Sequence, residues 1–482
     1  MSSLVRSLFS RFALLLLLAG LIGGFAPAMA RAVPAPAAPV APAADTPEYL
    51  WVAGSAFHPR DGTSAYETSN GCIYAVSSGE FTTHIAIPDG AILHTLNAYV
   101  IDNSAAFTSE LTLYDVDGRY DRDIVKKPIV SSGGFTTFTA PISNPVDSGV
   151  IYQVNEAQYG LALDWEPKLY SSAMQLCGIR ISYTPAEAAP NPSYEFISGA
   201  AFVAPDSATA YGYNGGGCTS LKNAGRFLVS DVQIPAGAQI YSIQSYYRDI
   251  TSTADLKLSL IEYTGLGVSR TLALATEPMS NTDFQSVSAN LTVDPYFSTP
   301  LTRSLVLRAD FGGVRHGDLR FCGARVEFTP PTARPAAQAS FIAGTTFVPR
   351  KWSTDYVADA AGCISTNDQS DLGAFTAAIQ VPTGAEITQI KYFYKSTFSG
   401  PTNVSLYRVS ANGTKGAALA QASNSSVGTG SAVASLKYRV DNALGGLILE
   451  WNPGSPNAGR WFCGAQVTYG FVQRVYIPRI IK

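Results

Sequence analysis

The six cysteines are the residues of this chain best suited to covalent chemistry, and their spacing divides them into three pairs. They are Cys72 and Cys177, Cys218 and Cys322, and Cys363 and Cys463. Metal ligation or redox catalysis would favour C-x-x-C spacing or recurrent histidines, and neither accompanies these cysteines. Pairing the early with the late cysteine is the one scheme that treats three successive segments alike. The sequence therefore predicts three structural disulfides.

A short acidic stretch has the residue types of a calcium loop. Asp115, Asp117, Asp121 and Asp123 alternate around Gly118. Calcium binds several carboxylate oxygens, and a glycine permits the sharp turn that such a loop needs. A hairpin turn explains the same glycine, and later stretches keep a glycine at 265 and 413 without the acids. Two interpretations stay open, calcium in the first segment or a plain turn, and no other cofactor is indicated.

Two tryptophans with acidic neighbours could serve a carbohydrate. Trp165 lies between Asp164 and Glu166, and Trp451 follows Glu450. Exposed indole rings can stack on sugars, and paired carboxylates can cleave glycosidic bonds. The alternative is that each tryptophan ends an alternating strand and caps a core. Trp165 and Trp451 are therefore candidate ligand contacts, whereas the second segment has Ala309 at this place.

Other catalytic patterns are missing from the sequence. None of the four histidines recurs at an equivalent place; they are His58, His84, His94 and His316. The chain has no Gly-x-Ser-x-Gly elbow, no His-Glu-x-x-His and no glycine-rich phosphate loop. Charged residues make up 14% of the chain, and a formal charge of −3 argues against a nucleic-acid partner. We expect a protein that is not an enzyme.

Internal repetition organises these residues into three copies. Several blocks recur at two equal steps: Gly54–Phe57, Gly199–Phe202 and Gly344–Phe347; Tyr66, Tyr211 and Tyr356; Ile87–Gly90, Ile234–Gly237 and Val381–Gly384. Each copy closes on a Cys-Gly strand: Cys177–Tyr183, Cys322–Phe328 and Cys463–Tyr469. The copies span residues 49–185, 194–330 and 339–470, with proline-rich linkers between them.

Strand periodicity sets the fold class. Leu96, Ala98 and Val100 alternate with polar residues, and proline or glycine interrupts nearly every junction. The sequence predicts an all-β fold of three tandem antiparallel β-sandwich, jelly-roll-like domains, arranged in a row and each closed by one disulfide.

The N-terminus indicates export. Residues 1–30 combine Arg6 and Arg11 with an apolar run and the small residues of Ala28-Met29-Ala30, which predicts a signal peptide cleaved near Ala30. Residues 31–48 form a Pro/Ala-rich linker, and residues 471–482 form a C-terminal tail. No segment after the signal peptide is apolar enough to span a membrane. We expect a secreted or cell-surface protein.

The repeated blocks resemble tandem β-sandwich, jelly-roll-like modules of secreted bacterial proteins. Residues 87–96, 111–114 and 177–183 carry this resemblance in the first copy, and their matches extend it over most of residues 49–470. It implies a fold and exposure to the outside rather than an activity. The ending Val475–Lys482 is similar to short Tyr-aliphatic-Pro-aliphatic endings of exported bacterial proteins, where retention or sorting is suspected.

These observations favour a non-catalytic protein that presents three modules for adhesion or for envelope or extracellular assembly. The alternative is a carbohydrate-binding protein that uses exposed tryptophan and tyrosine, and a polysaccharide-active enzyme is the third interpretation. The partners we expect are glycans or other surface proteins.

Overall fold

A computed structural model describes residues 47–104, 107–130, 133–144, 150–223, 226–250, 256–277, 281–312, 317–332, 335, 337–366, 373–454 and 459–471. These ranges contain β-strands and three short 3-10 turns, Gly54–Ala56, Gly199–Ala201 and Gly344–Thr346. None of their helical segments has the length and apolar character needed to cross a membrane. The predicted signal peptide, almost all of the Pro/Ala-rich linker and the tail after residue 471 lie outside the described residues.

The strands of the first copy are β1 (Glu48–Ala53), β2 (His58–Pro59), β3 (Tyr66–Ser69), β4 (Cys72–Ala75), β5 (Phe81–Ile85), β6 (Ile92–Asp102), β7 (Thr108–Val116), β8 (Asp121–Val130), β9 (Gly134–Pro141), β10 (Tyr152–Gln153), β11 (Gly160–Pro167) and β12 (Met174–Thr184). Those of the second copy are β13 (Ser193–Ser198), β14 (Tyr211–Tyr213), β15 (Thr219–Leu221), β16 (Phe227–Val232), β17 (Gln239–Asp249), β18 (Lys257–Thr264), β19 (Val268–Thr276), β20 (Asn281–Asn290), β21 (Tyr296–Phe297), β22 (Arg303–Asp310) and β23 (Leu319–Thr329). Those of the third copy are β24 (Ala337–Ala343), β25 (Val348–Pro349), β26 (Tyr356–Ala358), β27 (Ile364–Thr366), β28 (Phe375–Ile379), β29 (Ala385–Ser396), β30 (Thr402–Ser410), β31 (Lys415–Asn424), β32 (Gly428–Arg439), β33 (Gly445–Asn452) and β34 (Arg460–Phe471).

Each copy folds as one long β-hairpin that is rolled into two packed sheets. In the first copy the antiparallel pairs are nested along the chain: β4 with β12, β5 with β11, β6 with β9 and β7 with β8. Successive pairs alternate between a sheet ordered β10-β6-β12-β4-β3 and a sheet ordered β2-β5-β11-β7-β8, with β1 also on β12. The second and third copies repeat this nesting. It is the topology of a jelly roll, and the predicted fold class is confirmed.

Alternation along the strands gives each copy its own core between its two sheets. Leu96, Ala98 and Val100 of β6 are fully buried, as their spacing predicts. Burying one such aliphatic side chain contributes about 1.5–3 kcal/mol, except for alanine, which contributes less. The sandwiches are thus held by ordinary apolar packing.

Each disulfide joins the last strand of a copy to the start of a strand that pairs with it or to the residue just before that strand, and the predicted pairing is confirmed. The bonds are Cys72–Cys177, Cys218–Cys322 and Cys363–Cys463. In each copy the late cysteine is the extra residue of a β-bulge in the last strand, where the register shifts. A bulge re-aims a side chain, and here it directs the sulfur toward the early cysteine.

A close backbone approach explains the repeated Gly-x-x-Phe opening. A Cβ atom on Gly54 would lie 1.9 Å from the carbonyl oxygen of Leu176, and one on Gly344 would lie 2.2 Å from that of Phe462. No side chain fits at such distances, so the position needs glycine. The phenylalanine of the motif is buried in every copy.

The three copies close into a ring with pseudo-threefold symmetry. The first strand of each copy packs on the second sheet of the preceding copy: β13 on β11, β24 on β22 and β1 on β33. The third copy therefore contacts the first, and the expectation of domains in a row is wrong. Identical head-to-tail contacts generate a ring whenever their rotation closes, and here it closes after three copies.

Candidate functional site

Three repeated tyrosines join the copies around the axis of this ring. Their hydroxyl groups donate to carbonyl oxygens of the preceding copy: Tyr66 to Pro349 at 2.8 Å, Tyr211 to Pro59 at 2.8 Å and Tyr356 to Ala204 at 3.2 Å. Their own carbonyl oxygens accept backbone N–H groups from the same copies: those of Trp352, Gly62 and Ser207. We call these three residues the tyrosine clasp. It explains why the tyrosines recur at equal steps.

Cavities follow the pseudo-threefold axis and share their walls. The clasp borders a cavity of about 100 Å³, the middle cavity has about 140 Å³ and the widest has about 390 Å³. The first two share three equivalent residues, His58, Val203 and Val348. The last two share the equivalent residues Ala86, Gln233 and Gln380. The axis is thus lined by layers that take one residue from each copy.

The widest cavity has neutral walls. It is bordered by prolines of the repeated Pro-x-Gly turn and by tyrosines and side-chain amides: Pro88, Pro235, Pro382, Tyr49, Tyr183, Tyr469, Gln233, Gln338, Gln380 and Asn442. No charged side chain belongs to its described lining. The Asn442 amide is already engaged, because it donates to the carbonyl oxygens of Tyr49 and Val381. Such a surface suits a neutral ligand with flat apolar faces.

The histidines near the axis are neutral at physiological pH. Burial lowers the pKa of His58 to about 4 and that of His84 to about 4. His58 Nε2 lies 3.2 Å from the carbonyl oxygen of Ala200, across the seam between the first two copies. His84 lies in the middle cavity, where the equivalent residues are Asp231 and Ala378. These histidines are structural neighbours of the cavity rather than a repeated catalytic set.

The predicted calcium loop is not supported. Each aspartate has its own protein partner: Asp115 accepts from Arg122 and Tyr152, Asp117 from the backbone of Arg119 and Tyr120, and Asp121 from Tyr213, while Asp123 lies 4.0 Å from Lys126. Across the described ranges no three His, Cys, Asp or Glu side chains are placed to hold a metal ion. The four aspartates are therefore accounted for by hydrogen bonds and ion pairs within the protein, and calcium in this turn stays a prediction.

The glycine of that turn belongs to a seam between copies instead. A Cβ atom on Gly118 would lie 2.6 Å from the ring of Tyr246 in the second copy, and one on Gly265 would lie 2.1 Å from Phe393 in the third. On Gly413 it would lie 2.0 Å from Cys72 Sγ in the first copy. In each copy this turn packs against an aromatic ring or a disulfide of the next copy. The contact leaves no room for a side chain at the glycine position, whether or not the turn also carries acids.

The two candidate tryptophans are core residues, and the prediction that they contact ligand is wrong. The side chains of Trp165 and Trp451 are fully buried. The Trp165 ring lies 5.7 Å from that of Phe81, and the Trp451 ring lies 5.2 Å from that of Phe375. Strand alternation places Asp164 and Glu166 on the opposite face of the sheet from the indole, which points into the core.

The acids beside Trp165 border a polar cavity of about 150 Å³ on the outer face of the first copy. Burial raises the pKa of Asp164 to about 7, although Arg60 lies 2.5 Å away and opposes this shift. The neighbouring acids are also paired: Glu80 with Arg60, Glu110 with Lys126 and Glu166 with Lys168. Ion pairs with basic side chains account for these carboxylates.

Comparison with known proteins gives no family for this chain. No protein-family model matches it, and no curated protein matches it. Similar solved structures include the CBM22 tandem domain of Paenibacillus barcinonensis Xyn10C, at 11% identity and a TM-score of 0.21, covering 59% of this chain and 98% of that one. A triple jelly roll of an archaeal virus has 8% identity and a TM-score of 0.20, covering 88% and 91%. Arthrobacter globiformis T6 isomalto-dextranase has 13% identity and a TM-score of 0.21, covering 52% and 36%. TM-scores of this size carry no argument about function.

Sequence reasoning missed a third set of seam residues. Arg180, Arg325 and Gln466 occupy the same place in the closing Cys-Gly strand and donate to carbonyl oxygens of the preceding copy: those of Ala443, Ala157 and Pro300. The available signal was a long polar side chain repeated in the middle of a buried strand. Every repeated feature of this kind lies at a seam.

Proposed function

We propose that this chain is a non-catalytic extracellular or cell-surface protein whose ring of three jelly rolls is a rigid building block for adhesion or assembly. The observation that carries the proposal is that many of the repeated residues contact the neighbouring copy. The tyrosine clasp, the seam glycines and the long donors of the closing strand all join one copy to the next. Features common to the copies therefore maintain the ring.

Export is supported by the cysteines and by the N-terminus. Three disulfides are typical of proteins that fold in an oxidising compartment. The predicted signal peptide with cleavage near Ala30 would deliver the chain there.

Assembly is supported by the outer strands of the ring. Strands β8, β19 and β31 end the second sheet of each copy, and each pairs with one neighbour among the described strands. An edge strand offers free backbone groups to another chain. The ring displays three such edges in related positions, so weak contacts can add up through multivalency.

The experiment compares the exported protein with a variant that lacks the tyrosine clasp. Tyr66→Phe, Tyr211→Phe and Tyr356→Phe together remove the three hydroxyl donors and leave the cores unchanged. We expect the native protein in the extracellular or surface fraction, with self-association or cell binding that the triple variant reduces. Retention in the cytoplasm, or turnover on a panel of polysaccharides, would contradict the proposal.

Carbohydrate binding is a second candidate, now favoured by the widest axial cavity alone. Its neutral lining of prolines, tyrosines and side-chain amides suits a neutral ligand with flat apolar faces, such as a sugar ring. The buried Trp165 and Trp451 do not support carbohydrate binding. Retention on a glycan array that is lost with Tyr183→Ala would support this candidate. An array without retention would remove it.

A further inference from the structure

The seam between the first and second copies contains an acidic pocket. This pocket has a volume of about 190 Å³ and is lined by residues of both copies. Three carboxyl groups line it, from Asp89 and Glu156 of the first copy and Glu195 of the second. Exposed Ala189 of the connecting segment also lies in its wall, so the pocket reaches the surface. We call it the seam pocket.

Two of the carboxyl groups in the seam pocket have only one of their two oxygens hydrogen-bonded. Glu156 Oε2 accepts the N–H of Phe196 at 2.6 Å, and Glu195 Oε1 accepts that of Gln233 at 3.1 Å. Glu156 Oε1 and Glu195 Oε2 are buried and accept no hydrogen bond from the described residues. The two side chains are 2% and 6% exposed. Each side chain thus lines the cavity with one carboxyl oxygen unpartnered, which is costly unless a donor binds there.

Positive charge to balance these acids is missing from the described part of the seam pocket. No lysine or arginine lines it. The basic groups beside it are engaged elsewhere or neutral. The Arg325 guanidinium lies over the Tyr194 ring and donates to the carbonyl oxygen of Ala157, and His84 Nε2, 3.9 Å from Glu195 Oε1, is kept neutral because burial lowers its pKa to about 4. Burial raises the pKa of Glu195 to about 7. Burial also raises the pKa of Glu156, and the nearby carboxyl groups of Glu195 and Asp89 raise that pKa further. The pocket is an uncompensated site for negative charge.

Apart from Ser193 and Gln233, most of the remaining wall is apolar. Pro88, Pro235, Tyr194 and Phe328 surround the carboxyl groups. Aromatic rings attract organic cations through their faces, and apolar walls accept a hydrocarbon stem. An inorganic ion would gain nothing from such walls, and the described acids are not placed as a metal-binding group.

We propose that the seam pocket binds an organic ammonium group, that is, a primary amine at the end of a short hydrocarbon chain. The ammonium donates to Glu156 Oε1 and Glu195 Oε2, and its stem lies against Pro88, Pro235 and Phe328. The amine belongs either to a free alkylamine or to a lysine side chain of a partner protein.

The other two seams lack this chemistry. Leu50 and Ser340 occupy the place of Glu195 in the first and third copies. At the seam from the third copy to the first, Asn442 replaces Glu156, and its N–H bonds Thr383 where that of Glu156 bonds Asp89. Among the described residues this combination of acids therefore occurs at the seam between the first and second copies, at a place where the copies differ.

The test is calorimetric titration of the full exported chain at pH 8 with n-butylammonium chloride. Sodium chloride at equal ionic strength and n-butanol serve as ligand controls, and acetyl-lysine amide, with and without Nε-acetylation, probes the lysine source. Glu195→Gln removes one charged acceptor while keeping its shape. Glu187→Gln, at an exposed residue of the connecting segment, is the matched control.

We expect one saturable site for butylammonium, unaffected by Glu187→Gln and weakened about tenfold or more by Glu195→Gln, because a hydrogen bond to a charged group is lost. Binding of acetyl-lysine amide but not of its Nε-acetylated form would assign the pocket to a protein partner, and binding of butylammonium alone would assign it to a free amine. Absence of saturation, or equal affinity of the two variants, would overturn the proposal. Unfolding midpoints of both variants establish that each is folded.

Discussion

Replacing Gly413 by alanine tests the closure of the ring at the contact between its third and first copies. Gly413 has a φ of 75°, and an added Cβ atom would lie 2.0 Å from Cys72 Sγ and 2.6 Å from Cys177 Sγ. Gly384 of the same copy is the matched control, because its φ is 85° and an added Cβ atom meets nothing within 4 Å. Both variants incur about 1–2 kcal/mol for a left-handed alanine. Only Gly413→Ala adds overpacking, which costs about 1–3 kcal/mol.

We therefore expect Gly413→Ala to lower the free energy of unfolding by about 1–3 kcal/mol more than Gly384→Ala does. Urea unfolding followed by tryptophan fluorescence measures this difference. Hydrogen exchange of the segment around Gly71 adds a local readout, since its N–H donates to Gly413 O at 3.0 Å. In an open row of domains Gly413 would lie in a solvent-exposed turn. Equal losses for the two variants, with unchanged exchange near Gly71, would refute the ring.

Three further replacements, two of them with a matched control, have defined outcomes. The double variant Cys218→Ala, Cys322→Ala opens a loop whose ends are 104 residues apart. We expect its free energy of unfolding, measured with urea, to be lower by about 4–5 kcal/mol, and we expect a reductant to destabilise the second copy no further. Trp451→Ala should cost about 3–5 kcal/mol through a core cavity, whereas Trp352→Ala, at a residue 54% exposed, should cost less than about 0.5 kcal/mol; similar costs would contradict the core assignment. Burial raises the pKa of Glu195 from 4.5 to about 7, so folding is favoured below pH 4.5 and this contribution is lost as the pH rises toward 7. Relative to the native chain, Glu195→Gln should thus gain about 3 kcal/mol of stability between pH 4 and pH 8, and a flat difference would contradict the buried carboxyl. Glu187→Gln, at an exposed residue, is the matched control.

The fold was predictable because its determinants are local or repeated. Alternation at Leu96, Ala98 and Val100 reports a buried strand face directly, and the equal spacing of the cysteines reports their pairing. Neither inference requires knowledge of how one copy meets another. At Trp165 two local patterns disagreed: strand alternation predicted a buried side chain, whereas the acidic neighbours suggested an exposed one. The side chain is buried.

The ring was not predictable in this way, because its contacts join residues that are remote in the sequence. Tyr66 and Pro349 are 283 residues apart in the sequence, and no periodicity links them. The recurrence of Tyr66, Tyr211 and Tyr356 indicated that a tyrosine is needed at this position. It did not indicate which residues the tyrosine contacts. The seam pocket was not predictable either, because Glu156 and Glu195 come together only where two copies meet.

Distances between equivalent outer positions test the ring most directly. Thr137, Ser286 and Ser431 are exposed, and each pairs with an equivalent residue of its neighbouring strand: Tyr99, Tyr246 and Phe393. Spin labels placed at these three positions, two at a time, can be measured by pulsed electron resonance in the full chain. A closed ring predicts three similar distances. A distance between residues 137 and 431 that is much longer than the other two would contradict it.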